Sequence, residues 1–284
     1  MYFQKIIENY DGSDWLKKVI LELQKNFYLE NILHCFSKIP RHFGNKIISI
    51  TKDQSIELQK KFSLSINFKD FSIDQIARIE LLLTLKALPE KEYKQVITEC
   101  YKNGDNSEKI TILKALFLLP YREFFIFTAQ DACRTNVTPV FAAIAINNPF
   151  PAEFFDELYF NNLVLKAIFL DLPILNILGL EKRKNSKLAD MVGDWMDERE
   201  AADRVIMPQV WTIVSEFAQG ERLERVYRYL TGELPDHRYW LAFSLGNTKK
   251  TEHLPMLEKQ FQKEKINKVR DILGRAIENI QANS

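Results

Sequence analysis

The sequence is poor in the residues that build disulfide-rich domains, metal sites and nucleotide-binding loops. It has three cysteines, four histidines and nine glycines among 284 residues. Cys35, Cys100 and Cys133 lie far apart and form no CxxC pair, which argues against a disulfide framework or a zinc ribbon. It also lacks GxGxxG, GxxxxGK[ST], HExxH and GxSxG motifs. We therefore predict no cofactor and no metal, assign no catalytic residue, and expect a protein that is not an enzyme.

Charge is balanced and long uncharged runs are missing. Lys and Arg number 39 against 38 Asp and Glu, so no basic excess favours nucleic acid as a partner. Residues 163–180 are apolar but contain Lys166, Asp171 and Pro173, which predicts a buried core helix rather than a membrane span. The N-terminus has no signal-peptide pattern. We predict a cytoplasmic protein without a transmembrane segment, and peripheral membrane contact stays open.

Helical periodicity is present along most of the chain. After Ser72, apolar residues recur at Ile76, Ile79, Leu83 and Ala87, which predicts one apolar helix face. Ser72 and Gln75 have the spacing of a capping box, as do Asp105 and Glu108 at a second predicted helix. One β-branched stretch, residues 46–51, predicts a short extended segment.

Similar helical segments recur, which predicts stacked helix pairs. Three fragments look alike: Leu85-Lys86-Ala87-Leu88, Leu113-Lys114-Ala115-Leu116 and Leu165-Lys166-Ala167-Ile168. Near the C-terminus the pattern Tyr239, Ala242, Phe243, Gly246 recurs 30 residues later as Val269, Ile272, Leu273, Ala276. Such repetition is typical of α-solenoids. We predict an all-α fold of stacked antiparallel helix pairs (HEAT-like), one curved domain over residues 1–284, with the most regular hairpins in residues 235–281.

Two charged stretches have simple structural interpretations. Arg222, Arg225 and Arg228 alternate with Glu221 and Glu224, which predicts a salt-bridged face on a single helix. The basic run at residues 182–184 precedes a helix beginning near residue 185. We interpret it as a solvated loop, with contact to an anionic ligand or a partner as the alternative.

Segment 131–169 has an unusual distribution of polar residues, because they lie between strongly apolar helices. Asn136 or Thr138 is a candidate N-cap, with Pro139 in the first turn. One interpretation is that these residues cap helices, order loops and pair as buried ions. The other is that they line a pocket for a polar small molecule. The candidate ligand-binding residues, including two later arginines, are Arg134, Asn136, Asn148, Glu153, Asn161, Asn162, Lys166, Arg183 and Arg199.

The same segment carries a family resemblance. The pattern RTN…PVF…AIA…NPFPA…F…N…LVLKA from Arg134, with Asp74-Gln75, Leu118-Leu119-Pro120 and Glu198-Arg199 elsewhere, resembles the EboA family over residues 40–215. The resemblance implies a gene cluster with a prenyltransferase, a TIM-barrel hydrolase-like protein and a sugar-phosphate cyclase or isomerase. It also implies traffic of a secondary-metabolite precursor towards the periplasm.

The chain departs from that family at three places. Tyr159-Phe160-Asn161-Asn162 stands where the family commonly has Ala-Trp-Asn-Gln, Asp197 where it often has His, and Glu200 where it has Trp. A catalytic role of that His or Trp would be lost in this chain, which favours binding over chemistry.

Three hypotheses follow. The first is a non-enzymatic helical-repeat protein that binds a partner protein or a small-molecule metabolite in a concave groove. The second is an enzyme or accessory subunit acting on a polar, phosphorylated or prenylated metabolite, with Lys166, Glu153 and Arg134 as acid–base or anion-holding groups. A nucleic-acid-binding solenoid is a third, and it requires basic residues gathered on one concave surface.

Overall fold

The computed structural model describes residues 2–62 and 68–283, and the fold of these residues is all-α, as predicted. Within these ranges the only extended pairing is an antiparallel bridge between Ile47 and Ser72. It is supported by hydrogen bonds from Ile48 N–H to the Phe71 carbonyl at 3.0 Å and from Ile73 N–H to the Lys46 carbonyl at 2.9 Å. The extended segment predicted near residue 47 is therefore present, but it forms no sheet.

The chain divides into two compact units. Unit 1 comprises residues 1–160 and 176–179, and unit 2 comprises residues 161–175 and 180–284. The single curved domain and the HEAT-like stacking stay predictions. The complete helices that the structure describes in unit 1 are α1 (Gln4–Ile7), α2 (Ser13–Lys25), α3 (Leu29–Phe43), α4 (Lys52–Phe62), α5 (Ile73–Thr84), α6 (Glu90–Asn103), α7 (Asn106–Ala115), α8 (Ile126–Ala132), α9 (Thr138–Ala145) and α10 (Phe150–Phe154). Its 3₁₀ turns are Phe68–Asp70, Leu85–Ala87 and Arg122–Phe125.

Helix α11 (Glu157–Phe169) begins in unit 1 and continues into unit 2. The apolar run predicted as one core helix ends here, because Asp171 adopts a left-handed φ of 51° and Pro173 follows. A 3₁₀ turn, Ile174–Asn176, comes next. Among the described residues, no helix combines the length and apolar composition that crossing a bilayer requires.

Helix α5 is the central helix of unit 1. It packs against α1, α2, α3 and α7 and is buried on nearly every side, so the prediction of one apolar face underestimates its burial. Ala87, predicted on that face, is exposed and lies beyond the helix end. The Ser72–Gln75 capping box is confirmed.

Three charged side chains of α5 are buried with it. Arg78 Nη1 donates to Asp74 Oδ2 at 2.7 Å, and Arg78 Nε donates to the Phe36 carbonyl at 3.2 Å. Glu80 accepts hydrogen bonds from the backbone N–H of Tyr2 and, at 2.6 Å, of Phe3. These contacts fasten the N-terminus and α3 to α5, and each buried charge has a partner.

Unit 2 is built from the remaining helices. In the part that the structure describes they are α12 (Leu180–Arg183), α13 (Ser186–Ala201), α14 (Trp211–Val214), α15 (Glu221–Leu230), α16 (Pro235–Thr248), α17 (Leu254–Lys263) and α18 (Asn267–Gln281), with 3₁₀ turns at Pro208–Val210 and Thr251–His253. The run predicted as a loop at residues 182–184 is partly helical, since α12 extends to Arg183. Lys184 is mostly buried and pairs with Glu181 and Glu216.

The arginines of α15 do not pair with their own helix. Arg222 binds Asp190 and, at 2.9 Å, Asp194; these acids lie on α13. Arg225 binds Asp197, and Arg228 Nη2 lies 3.2 Å from Glu200 Oε1. The predicted salt-bridged face exists, but its partners are on a second helix, which local spacing does not reveal. We call these contacts the α13–α15 ladder.

The two repeats near the C-terminus meet at their small residues. A Cβ added to Gly246 of α16 would lie 2.7 Å from both Cα and Cβ of Ala276 on α18, so the two helices approach as closely as the pattern predicts. The repetition is inexact, because Phe243 is 38% exposed whereas its counterpart Leu273 is fully buried.

Candidate functional site

A groove in unit 1 is lined in part by segment 131–169, in which polar residues lie between apolar helices. Its volume is about 370 Å³, and we call it the α7–α9 groove. Helices α7 and α9, the turn before α5 and the connection from α9 to α10 surround it. Its lining residues are Asp70, Phe71, Ile110, Lys114, Pro139, Ala142, Ala143, Ile146, Asn147, Asn148 and Pro149. The wall is mostly apolar, and its side-chain charges are those of Lys114 and Asp70.

Lys114 is half-buried in this wall. Its ammonium donates to the Asp70 carbonyl at 2.9 Å and to Gln75 Oε1 at 3.3 Å, and it lies 4.7 Å from the centre of the Phe71 ring. Burial lowers the pKa of Lys114, while the negative charges of Asp70 and Asp74 oppose that shift. The arrangement offers a positively charged hydrogen-bond donor beside an apolar surface.

Asn148 supports the groove from inside. Its Nδ2 donates to the Leu113 carbonyl at 3.0 Å and to the Ala143 carbonyl at 2.9 Å, while its Oδ1 accepts the Phe150 N–H at 3.0 Å. The side chain is buried and joins α7, α9 and α10. Its polar atoms are thus engaged by backbone groups of the groove wall.

The turn around Asn148 also follows from its sequence. Asn147 adopts a left-handed φ of 54°, which asparagine tolerates better than most residues. Its N–H donates to the Asn176 carbonyl at 2.8 Å. Pro149 then precedes α10, whose first turn contains Pro151. The two asparagines and two prolines therefore shape one edge of the groove.

The other candidate residues of unit 1 lie outside this groove. Arg134 and Asn136 are exposed on the connection between α8 and α9, and Glu153 is exposed on α10. The N-cap of α9 is Val137 and not Asn136 or Thr138, because helical geometry begins one residue after Val137. Pro139 does lie in the first turn, as predicted.

Candidate residues of unit 2 form separate contacts. Asn161 is buried and exchanges two hydrogen bonds, of 3.2 and 3.1 Å, with Asn185. Asn185 Oδ1 also accepts the Leu188 N–H at 2.9 Å and so caps α13. Asn162 is exposed, whereas Lys166 and Arg183 are half-buried.

Arg199 orders the turn after α13. Its Nε donates to the Val205 carbonyl at 3.0 Å, and its guanidinium lies 5.3 Å from the centre of the Trp195 ring. A small cavity of about 90 Å³ is lined by Trp195 and Arg199 together with Ile168, Phe169, Glu198 and Arg204. A ligand-binding role of Arg199 stays a prediction.

Sequence reasoning missed Lys114 as a site residue. It appeared only as the lysine of a repeated Leu-Lys-Ala fragment, and the useful signal was a cation within an otherwise apolar helical stretch. The same signal marks Arg78 and Glu80 on α5, but there the charges are internally paired. Only the tertiary contacts distinguish a buried ion pair from a lysine at an open wall.

Comparison with known proteins agrees with the resemblance and extends it. The family described as "Metabolite traffic protein EboA" matches residues 2–215, so the matched region begins well before the predicted residue 40. No curated protein and no solved structure matches the chain. The match covers most of the chain, which belongs to the EboA family.

Proposed function

We propose that this EboA-family chain is a non-enzymatic binding protein that holds an anionic, amphipathic metabolite precursor in the α7–α9 groove. The observation that carries the proposal is the half-buried Lys114 ammonium in an apolar, open wall. The family description, metabolite traffic, supports a role in which a small molecule is held and passed on.

The groove has the properties that such a ligand needs. Its volume of about 370 Å³ lies in the usual range of small-molecule sites, and an alkyl or isoprenoid chain would bury apolar area against Pro139, Ala142 and Ile146. A phosphate or carboxylate would accept a charge-assisted hydrogen bond from Lys114, which is stronger than a neutral one. Asn148 holds the wall in place.

The alternative function is that of an enzyme or accessory subunit acting on the same kind of metabolite. The lowered pKa of Lys114 favours it, because a lysine shifted towards neutral pH serves better as a general base. Conversion of a bound probe would separate this alternative from simple binding.

The candidate residues outside the groove are assigned to contacts with a ligand or a partner. We propose that Arg134, Asn136, Glu153, Asn162, Lys166 and Arg183 contact ligand or partner, that the protein has a protein partner, and that it acts in the cytoplasm. Exposure of Arg134, Asn136 and Glu153 supports contact with a partner more than enclosure of a small ligand.

Calorimetry with octyl phosphate, below its micelle-forming concentration, and with 1-octanol tests the groove. The purified full chain should bind the phosphate more tightly than the alcohol. Lys114→Met, which keeps the apolar stem, should weaken octyl phosphate binding about ten- to hundredfold, the loss expected for a hydrogen bond to a charged group. Lys109→Met on the same helix is the matched control, since Lys109 lies outside the groove.

Three results would contradict the proposal. Equal affinity for phosphate and alcohol would remove the role of the ammonium. Equal loss in both lysine variants would indicate a general charge effect. Release of inorganic phosphate from the probe by the parent chain, abolished in Lys114→Met, would favour the enzyme instead.

A further inference from the structure

A second concave surface in unit 1 shares no lining residue with the α7–α9 groove. Its volume is about 960 Å³. We call it the basic cleft and define it by Lys61, Lys86, Lys94, Tyr121, Arg122 and Phe124.

The charge of the basic cleft is positive although the chain is nearly neutral. Four cations line it, against the two carboxylates of Glu90 and Glu123, so its formal charge is +2 when the chain total is +1. Lys94 pairs with Glu90, and Lys86 Nζ lies 2.5 Å from the Tyr2 hydroxyl. An acidic ligand is therefore favoured over a basic one.

Two aromatic rings are held open to solvent beside these cations. Tyr121 is 40% and Phe124 is 51% exposed, and Lys94 Nζ lies 5.3 and 4.6 Å from the centres of their rings. Exposed aromatic side chains with an arginine are typical of the centre of protein interfaces.

The backbone that presents these rings is strained. Tyr121 has φ 58° and ψ 39°, a left-handed conformation that costs a bulky L-residue about 1–2 kcal/mol. It directly follows Pro120 and is the N-cap residue of the 3₁₀ turn Arg122–Phe125. Strain of this kind is concentrated at functional sites, where the fold holds a side chain in one position.

The size and openness of the cleft fit a peptide segment better than a second metabolite, since its volume exceeds twice that of the groove. We propose that the basic cleft binds an acidic segment of a partner protein, with an aromatic or leucine side chain packed on Tyr121 and Phe124. This inference does not depend on the α7–α9 groove.

Selection of displayed random nine-residue peptides on the purified full chain tests the inference. Enriched peptides should contain Asp or Glu together with an aromatic residue or Leu. A synthetic copy of the best peptide should bind at least tenfold more weakly to a Lys86→Glu/Arg122→Glu variant. Lys91→Glu/Lys102→Glu is the matched control: it makes the same charge change on α6, outside the cleft, and should bind within twofold of the parent.

A second variant separates loss of binding from loss of fold. Phe124→Ala removes an exposed ring without changing charge, and it should also weaken the peptide while keeping the parent's melting temperature within a few degrees. The inference is overturned by basic or uncharged winners, by no enrichment over the Lys86→Glu/Arg122→Glu chain, or by equal weakening in the control. Tighter binding of sodium tripolyphosphate than of the best peptide would also overturn it and assign the cleft to a small phosphate.

Discussion

Glu80 in unit 1 and Glu264 in unit 2 are both buried, yet their surroundings act on them in opposite directions. Burial raises the pKa of Glu80, and backbone N–H groups of Tyr2 and Phe3 offset this only in part. Burial also acts to raise the pKa of Glu264, but hydrogen bonds from Arg238, Ile266 N–H and Gln260 outweigh it and lower that pKa to about 2. The two glutamates differ in their hydrogen-bond donors: Glu264 accepts from the Arg238 guanidinium, whereas Glu80 accepts from the backbone N–H groups of Tyr2 and Phe3.

Each unit buries one carboxylate–guanidinium pair, Asp74–Arg78 in unit 1 and Glu264–Arg238 in unit 2, but their remaining charges differ in exposure. Unit 1 buries the Asp74–Arg78 pair and has Lys114 at a groove wall. In unit 2, Asp190 and Asp194 of the α13–α15 ladder are about two-thirds or more exposed. Charge inside unit 1 shapes its core and its groove, whereas most of the ladder in unit 2 lies at the surface.

The largest effect should come from the buried pair of unit 1. Arg78→Met leaves Asp74 buried without its guanidinium and should lower the free energy of unfolding by about 3–5 kcal/mol. Urea denaturation would measure it. A loss below about 1 kcal/mol would mean that Asp74 regains solvent or another partner, and the pair would then resemble the exposed α13–α15 ladder.

Acid should act on Glu264 with a defined sign. Its folded pKa lies below the ordinary glutamate value of 4.5, so its stabilisation is complete above that value and is lost as pH falls through about 2. The stability difference between the parent and Glu264→Gln should shrink by about 2 kcal/mol between pH 6 and pH 3.

The contribution of Glu80 to stability should depend on pH in the opposite direction. Because its folded pKa is raised, its contribution is present at low pH and is lost as pH rises through that pKa. The stability difference between parent and Glu80→Gln should therefore move in favour of the parent on acidification. If the stability differences for Glu80→Gln and Glu264→Gln change in the same direction with pH, the contrast between these two glutamates is wrong.

Two glycines of unit 2 should respond oppositely to alanine. In Gly246→Ala the new Cβ would lie 2.7 Å from the Ala276 backbone, so we expect a loss of about 1–3 kcal/mol. Gly274→Ala meets only the Phe261 ring at 3.4 Å and should gain up to about 1 kcal/mol from helix propensity. Thermal melting of both variants would check the signs, and a stable Gly246→Ala chain would refute the close approach of α16 and α18.

The smallest effect belongs to the ladder. Arg222→Met should cost at most about 1 kcal/mol, because its partners Asp190 and Asp194 are solvent-exposed and screened. The loss should shrink further at high salt, which repeating the denaturation at about 1 M sodium chloride would show. A loss as large as that of Arg78→Met would mean that the exposed ladder stabilises the protein as much as the buried Asp74–Arg78 pair does.

Local patterns predicted local structure well. The Ser72–Gln75 and Asp105–Glu108 spacings predicted two capping boxes, and both are present, because the side chains and N–H groups involved are three residues apart. The family was predictable because its motif lies in a continuous segment. The N-cap at Val137 was not predictable, because the polar residues Asn136 and Thr138 on either side of it are the usual capping types.

Residue spacing in the sequence did not predict the contacts between residues that are far apart along the chain. The arginines of α15 have glutamates beside them in sequence, yet they bind acids 28 or more residues away. The role of Lys114 likewise depends on Asp70 and Phe71 from a distant turn. Spacing along one helix specifies which side chains share a face, but not what that face meets.

The α13–α15 ladder also bears on how this sequence could have changed through evolution. Asp197 and Glu200, two of the positions predicted to depart from the EboA pattern, bind Arg225 and Arg228, which lie beyond the matched residues 2–215. A chain shortened at residue 215 would keep a row of four carboxylates on α13 while losing all three arginines that neutralise them. The acids and the C-terminal helices are therefore expected to be inherited together, and a swap of this C-terminal segment between relatives should carry α13 with it.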